Sequence, residues 1–319
     1  MSALPTLIEA DAAEINNQIN LEKGVFSATE LLERKTTEIP CLVEPIFPQV
    51  GLTALAGSSD TGKSSLLRQL AIAVVTGEST FLNFKLNQRY NKAIYVSTED
   101  DDFAMSYLLN KNNRYKALPV EKYEGLTFIF DTFDLLQQLQ QLLEKEKTDL
   151  IIIDAFTDLY GKSMNDTNQV RTFLNEYHQL AQRNKCLIIF LHHTGKRTEE
   201  LAPSKHNLLG SQGFEAKMRL VVELRNDLLE AELKHFCIVK GNYLPKEMKT
   251  ESYVLRFNDD LTFTPTGERR LFDLLKQSNN DSKVEKVKEL LEQGKTQQQI
   301  AEMLSISQAQ VSRIKKSIV

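Results

Sequence analysis

The run Gly57-Ser58-Ser59-Asp60-Thr61-Gly62-Lys63-Ser64 constrains this chain more than any other stretch. Upstream, Leu52-Thr53-Ala54-Leu55-Ala56 reads as a short apolar strand, and downstream Leu66, Leu67, Leu70, Ala71 and Val74 recur at helical spacing. Strand, glycine loop and helix in that order make a G-x-x-x-x-G-K-[ST] phosphate-binding unit. A triphosphate is a dense anion that must be gripped from several sides. Gly57 and Gly62 let the backbone turn tightly, so that the loop through Ser58, Ser59, Asp60, Thr61 and on to Ser65 presents N–H groups to phosphate oxygens. The helix beginning near Lys63 points the positive end of its dipole at the same anion. Lys63 can reach the β- and γ-phosphates, and Ser64 can ligate Mg²⁺ through its hydroxyl. The expected ligands are a nucleoside triphosphate and Mg²⁺, with no motif that reads the base.

With 319 residues there is room for one substantial domain and a small one. A formal charge of −4 exerts no global pull toward nucleic acid or membranes, so any nucleic-acid contact has to come from a local basic surface. Cys41, Cys186 and Cys237 lie far apart, and two of them sit in apolar, strand-like runs, which gives neither a disulfide framework nor metal-ligand spacing. No signal pattern opens the chain, and no apolar stretch approaches the ~18 residues of a spanning helix. A cytoplasmic protein without a membrane partner is expected.

Residues 1–38 read as an N-terminal arm with at most a weak helix. Pro40, Pro45 and Pro48 break any helix and lead into the strand before the phosphate loop. Strands are expected at Ala93–Thr98, Leu126–Phe130, Leu150–Ile153, Leu187–Leu191, Leu220–Leu224 and Phe236–Val239, with helices over 101–110 and 134–147. Such alternation of helices with near-continuous apolar strands predicts an α/β fold with a mostly parallel sheet covered on both faces. Val254–Phe257 and Leu261–Phe263 read as a closing hairpin, and beyond Pro265 the strand pattern stops. The expected division is an α/β domain over 39–268, a polar linker over 269–283 and a small all-α domain over 284–319.

Several strands end in reactive side chains. Ala93–Thr98 runs into Glu99-Asp100-Asp101-Asp102 at the carboxyl edge of the sheet, where open α/β sheets bind ligands. Glu99 there can orient and deprotonate the water that attacks a γ-phosphate, while the aspartates cap the next helix. Leu150-Ile151-Ile152-Ile153-Asp154 is an apolar strand ending in one acid, the Walker B form, whose carboxylate holds the Mg²⁺ hydration shell. Leu187–Leu191 ends in His192-His193-Thr194-Gly195-Lys196, and a histidine at that place can hydrogen-bond a γ-phosphate or the attacking water.

Together GSSDTGKS, YVSTED, LIIIDAF, LIIFLHHTGK, GSQGFEAKMR and FCIVKGN resemble the RecA-like branch of the P-loop ATPases, most closely the RepA-like and DnaB-like replicative helicase group of AAA-family ATPases. The resemblance covers about Ile39 to Pro265. It implies a RecA-like core that uses ATP, with Glu99 as catalytic glutamate, Asp154 as Walker B acid and His193 at the sensor position. The strand before His193 would then lie beside the phosphate-loop strand. It also implies rings or filaments in which a K-x-R motif supplies a basic finger to the neighbouring site. Here that run is Lys240-Gly241-Asn242. The lysine matches and the arginine position holds Asn242, so Lys240 acts alone, another arginine such as Arg219 or Arg225 contributes, or hydrolysis is weak. An arginine supplied in trans is worth roughly 10³ to 10⁵ in rate in related phosphoryl transfers. Loops Tyr160–Gln169 and Gly195–Leu209 correspond to places where the family contacts single-stranded DNA, and carry Lys162, Lys196, Arg197 and Lys205.

The tail is a second signal. Val284, Val287, Leu290, Leu291, Ile300, Ala301, Leu304, Val311, Ile314 and Ile318 would form the small core of three short helices, with Thr296 and Ser307 as N-caps. The run QQQIAEMLSISQAQVSRI resembles the helix-turn-helix of resolvase-type and sigma-type DNA-binding domains, with Ser305 where the turn usually has glycine. Gln308, Gln310 and Arg313 would reach bases in the major groove, while Ser312, Lys315 and Lys316 meet phosphates. Three functions fit: a DNA-dependent ATPase of the replicative-helicase type, an ATP-switched DNA-bound regulator or transposition accessory factor, and a recombinase or repair ATPase. The first is the expectation and the second its alternative; the third lacks its distinctive N-terminal domains, and Asn242 together with the small tail favours the second more than the family resemblance alone would.

Overall fold

The computed structural model describes residues 24–195, 197–210, 212–228, 230–276, 281–304, 308, 311–312 and 314–315. The chain divides into two compact units, Met1–Pro40 and Cys41–Val319. In the first, helix α1 (Ala28–Glu33) starts in a capping box: the Ser27 hydroxyl accepts from the Glu30 N–H, and Glu30 accepts from the Ser27 N–H. Residues 1–23 of the expected arm lie outside the described residues.

The second unit contains, in chain order, β1 (Cys41–Glu44), β2 (Phe47–Pro48), β3 (Gly51–Gly57), α2 (Lys63–Thr76), β4 (Thr80–Phe81), β5 (Phe84–Leu86), β6 (Ala93–Ser97), α3 (Asp102–Lys116) and β7 (Leu126–Ile129). Then follow α4 (Leu135–Lys145), β8 (Leu150–Asp154), α5 (Phe156–Leu159), α6 (Thr167–Asn184), β9 (Leu187–His193), α7 (Gln212–Lys217) and β10 (Leu220–Asn226). The meander β11 (Leu233–Gly241), β12 (Glu251–Phe257) and β13 (Phe263–Leu271) comes next, before helices α8 (Asp281–Glu292) and α9 (Gln297–Met303). Among the described residues no helix is long and apolar enough to cross a membrane.

The nine-stranded sheet has the order β13-β12-β11-β10-β3-β9-β8-β6-β7. From β10 to β7 every neighbouring pair is parallel, and β11 to β13 add an antiparallel edge. The fold is therefore α/β with a mostly parallel sheet, as the βα alternation predicts. Successive strand residues serve opposite faces. Leu150 and Ile152 of β8 pack with Leu66, Leu67 and Leu70 of α2, whereas Ile151 and Ile153 pack with Leu139 of α4 and Leu174 and Tyr177 of α6. Burial on both faces is why these strands are apolar without alternation. The phosphate-loop strand β3 lies between β10 and β9, and its Gly51–Gly57 pair in register with Leu187–His193.

Two regions depart from the sequence expectation. The proline-rich lead-in is not a simple entry to β3: β1 and β2 join β4 and β5 in a separate four-stranded sheet of order β2-β1-β5-β4. Leu42, Val43 and Phe47 are buried there, while Pro45 falls between strands and Pro48 sits on the end strand, where a missing N–H costs no ladder bond. The strand pattern also does not stop at Pro265. β13 continues to Leu271, and since it is the terminal strand of the sheet, proline is tolerated for the same reason.

In the tail, Val287, Ile300, Ala301 and Val311 form a core with Leu290, Leu291, Leu304 and Ile314 packed against it. Thr296 caps α9 in a capping box with Gln299. Gln308 and Lys315 are exposed and Ser312 is half-buried. Ser305, Ser307, Gln310, Arg313 and Lys316 lie outside the described residues, as does Lys196.

Candidate functional site

Each glycine of the phosphate loop is required for a different reason. Gly62 is left-handed at φ 85°, and a Cβ there would stand 2.7 Å from the Phe263 ring. At Gly57 the constraint is the neighbouring strand, since a Cβ would collide with the Leu224 carbonyl oxygen on β10. The loop closes on Ser58, whose carbonyl accepts from Thr61 Oγ1 at 3.0 Å and from Lys63 Nζ at 2.6 Å. Burial lowers the Lys63 pKa, and the negative charges of Asp154, Glu99 and Asp60 oppose that shift. The Ser58 hydroxyl donates to the Glu199 carboxylate, a contact the sequence reading missed.

Asp154 ends β8 and is buried. Its Oδ2 accepts from the Tyr95 hydroxyl at 2.6 Å, while Oδ1 is buried without a hydrogen-bond partner. Burial raises its pKa, countered by hydrogen bonds from Tyr95 and Ser64 and reinforced by the nearby charges of Glu99 and Asp100. A desolvated carboxylate oxygen left unpaired, with the Ser64 hydroxyl on the same carboxylate, is the donor set a hard cation needs. The residues present fit Mg²⁺, which Ser64 and Asp154 would hold.

Glu99 follows β6 and is exposed. Its charge acts on Lys63, Asp154 and His193, which places it within the same cluster. Asp101 caps α3, accepting from the Ala104 N–H at 2.8 Å, as expected for the aspartates. Thr98 Oγ1 accepts from the Ala155 N–H and donates to Asp158, tying the Glu99 segment to the end of β8.

The adjacent histidines at the end of β9 differ. His192 is fully buried against Phe214, with ring centroids 4.2 Å apart. Its Nε2 lies 2.8 Å from the Leu209 carbonyl, which can only accept, so Nε2 carries the proton. Burial pushes its pKa down to about 4. His193 is half-buried and faces the phosphate loop; burial, then Lys63, lowers its pKa, so near neutral pH it is an uncharged hydrogen-bonding group. The sequence named His193 for the site, and burial gives its neighbour to the core.

The candidate basic fingers also separate. Lys240 Nζ lies 2.9 Å from Glu215 Oε1 and donates to the Glu215 carbonyl at 2.8 Å. Arg225 is buried, paired with Glu223 at 3.0 Å and donating to the carbonyls of Thr198, Leu201 and Leu275, so it is a structural residue of its own subunit. Arg219 donates to the Val50 carbonyl at 3.2 Å and is half-buried.

A phosphate loop on the central strand, an acid ending β8 and a polar group ending β9, at one edge of a mostly parallel sheet, define a RecA-like P-loop ATPase. An AAA domain family model matches residues 18–199, more than half of the chain, and the chain belongs to that family. It is similar to the DNA repair protein RAD57 of Saccharomyces cerevisiae, 28% identical over 148 residues that span 41% of this chain and 30% of the yeast protein. Its fold is similar to that of the ATPase domain of G40P, with a TM-score of 0.55 and 12% identity, covering 82% of this chain and 99% of that one.

Proposed function

We propose that this chain hydrolyses ATP and couples that cycle to DNA, as a RepA-like or DnaB-like ATPase whose residues 284–319 form a helix-turn-helix joined through a linker to the ATPase domain that begins at 39. β13 carries that domain past the expected end at 268 to Leu271, and α8 begins at Asp281, so the expected linker over 269–283 narrows from both ends. The carrying observation is the meeting of Lys63, Ser64, Asp154, Glu99 and His193 at the carboxyl ends of β3, β8, β6 and β9, with the buried Asp154 Oδ1 unpartnered. The loop N–H groups from Gly57 to Ser65 bind the phosphates, and Lys63 leaves the Ser58 carbonyl to meet them. Glu99 holds the attacking water and accepts its proton at the carboxylate, and neutral His193 hydrogen-bonds the γ-phosphate. Mg²⁺, when bound, offsets phosphate charge and fixes phosphate geometry.

Association with DNA is supported by the naming of RAD57 as a DNA repair protein and by cations on the carboxyl-edge loops, Lys162, Arg197 and Lys205. In the tail, Gln308, Gln310 and Arg313 would read bases, and Ser312, Lys315 and Lys316 would meet phosphates. The protein would act in the cytoplasm and self-associate into a ring or filament.

A specific observation favours a second reading, a DNA-bound regulator in which ATP switches assembly. Asn242 stands in the finger position, and Lys240 is already paired with Glu215 in its own chain. The deciding measurement is ATP turnover with and without single-stranded and duplex DNA, alongside strand unwinding, for wild type and Glu99→Gln. DNA-stimulated turnover with unwinding supports the motor; ATP-dependent assembly on duplex without unwinding eliminates it. Glu99→Gln is expected to lower turnover by about 10² to 10⁴ while nucleotide still binds. Intact binding and turnover in Lys63→Ala would overturn both readings.

A further inference from the structure

Glu199 is a carboxylate placed against a loop built to bind anions. It lies in a short turn, Thr198–Glu200, after the β9 strand, and accepts from the Ser58 hydroxyl. The same Ser58 receives Lys63 and Thr61 on its carbonyl. Ser58 thus holds the loop in a self-satisfied arrangement, closed by an internal anion on one side and by the loop's own lysine on the other. A triphosphate bound by this loop would face the Glu199 charge and draw Lys63 away from Ser58.

The turn that carries Glu199 is clamped on both sides by one guanidinium. Arg225 donates to the carbonyl of Thr198 before it and, at 2.7 Å, to the carbonyl of Leu201 after it. The nitrogen that serves Leu201 also donates, at 3.1 Å, to the carbonyl of Leu275. Leu275 is buried and ends the last short turn before the segment leading to α8. Arg225 is held rigid by Glu223, whose other oxygen accepts from the Ser204 N–H at 3.0 Å and from Asn207 at 3.1 Å. Arg225 and Glu223 sit on β10, whose residue Glu223 is in register with Ala56 at the root of the phosphate loop.

We propose that Glu199 is an autoinhibitory anion of the phosphate loop, and that its displacement by nucleotide is relayed through Arg225 to Leu275 and the C-terminal helices. This rests on the reading of the loop as a triphosphate site. When the Thr198–Leu201 turn moves, the guanidinium loses two of its carbonyl partners, and its hold on Leu275 loosens with them. The tether of the DNA-binding helices then changes with nucleotide state.

The test uses the full chain, titrated with a fluorescent ADP in the presence of Mg²⁺, and hydrogen exchange with and without ADP. Wild type must bind; if it does not, the triphosphate reading itself fails. Given binding, Glu199→Gln is expected to bind about tenfold tighter, equivalent to 1.4 kcal/mol, because it removes the charge and keeps a partner for Ser58. Neighbouring Glu200→Gln, an exposed carboxylate, is expected to leave affinity unchanged. Unchanged or weaker binding in Glu199→Gln, or equal tightening in Glu200→Gln, overturns the autoinhibitory role. In hydrogen exchange, ADP on wild type and Glu199→Ala without nucleotide are both expected to speed exchange in 197–201 and in 272–276. Faster exchange confined to 197–201 overturns the relay.

Discussion

Two buried aspartates, Asp154 and Asp227, occupy one sheet in opposite states of satisfaction. Asp227 follows β10: its Oδ1 accepts from the Glu230 N–H at 3.0 Å, and its Oδ2 lies 2.9 Å from His235 Nε2 and meets Arg270. His235 is in turn 3.0 Å from the Ser252 hydroxyl through Nδ1. Serine, histidine and aspartate in a row resemble a hydrolytic triad, yet His235 and Ser252 are inaccessible to any substrate. That network staples the antiparallel β11–β13 edge to the end of β10. Asp154 keeps one oxygen unpaired in a desolvated place, where a bound cation would take it up. Completeness of hydrogen bonding, rather than burial or residue type, is what distinguishes Asp227 from the acid proposed to hold Mg²⁺.

The strongest way to break that comparison is Asp227→Ala, which strands His235 and leaves Arg270 without its buried partner. It is expected to cost about 3–5 kcal/mol in denaturant unfolding while nucleotide affinity of the folded fraction stays unchanged. A loss of affinity without a loss of stability would move Asp227 into the site.

His192 tests the acid side of the same logic. Its folded pKa of about 4 is below its unfolded value near 6.5, so the unfolded chain binds the extra proton between those values. Stability is complete above pH 6.5 and falls as pH drops toward 4, by up to about 3 kcal/mol at about 1.4 kcal/mol per pKa unit. Urea unfolding of wild type and His192→Asn over that range should show a shallower slope in the variant; parallel slopes would refute the assignment.

Asp154→Asn should do the opposite of Asp227→Ala. Because burial raises the folded pKa of Asp154, its ionisation opposes folding, and stability falls as pH rises through that pKa. The asparagine variant is expected to be at least as stable as wild type at neutral pH, yet lose about 100-fold, or about 2.7 kcal/mol, in Mg²⁺-dependent turnover. A destabilised variant with normal turnover would reverse the roles of the two aspartates. The smallest effect is expected at the surface, where Arg256→Gln removes the exposed pair with Glu232 and should shift unfolding by less than about 1 kcal/mol.

What could be read from the sequence follows from how local each pattern is. Lys63 and Ser64 are set by a contiguous loop, and Asp154 by the apolar strand that delivers it to the sheet's edge. Glu99 and His193 were reachable because strand ends in such a sheet converge. Tyr95 was not, because its value to the site is a hydrogen bond to Asp154 across two paired strands, and a tyrosine in an apolar run looks like core. Arg225 looked like a spare cation beside the missing finger arginine: Glu223, two residues back on the same strand face, is a local partner, but nothing near Arg225 in sequence announces the carbonyls of Thr198, Leu201 and Leu275.

The sequence by itself determined the triphosphate loop, the α/β class and the acids at the sheet's carboxyl edge, because strand and helix periodicity and loop chemistry act over a few neighbouring residues. Only the tertiary structure decided which histidine belongs to the core, which aspartate is left unsatisfied, and where Glu199 and Arg225 lie relative to the phosphate loop. Those outcomes depend on desolvation and on partners brought together from distant segments, which residue spacing does not encode.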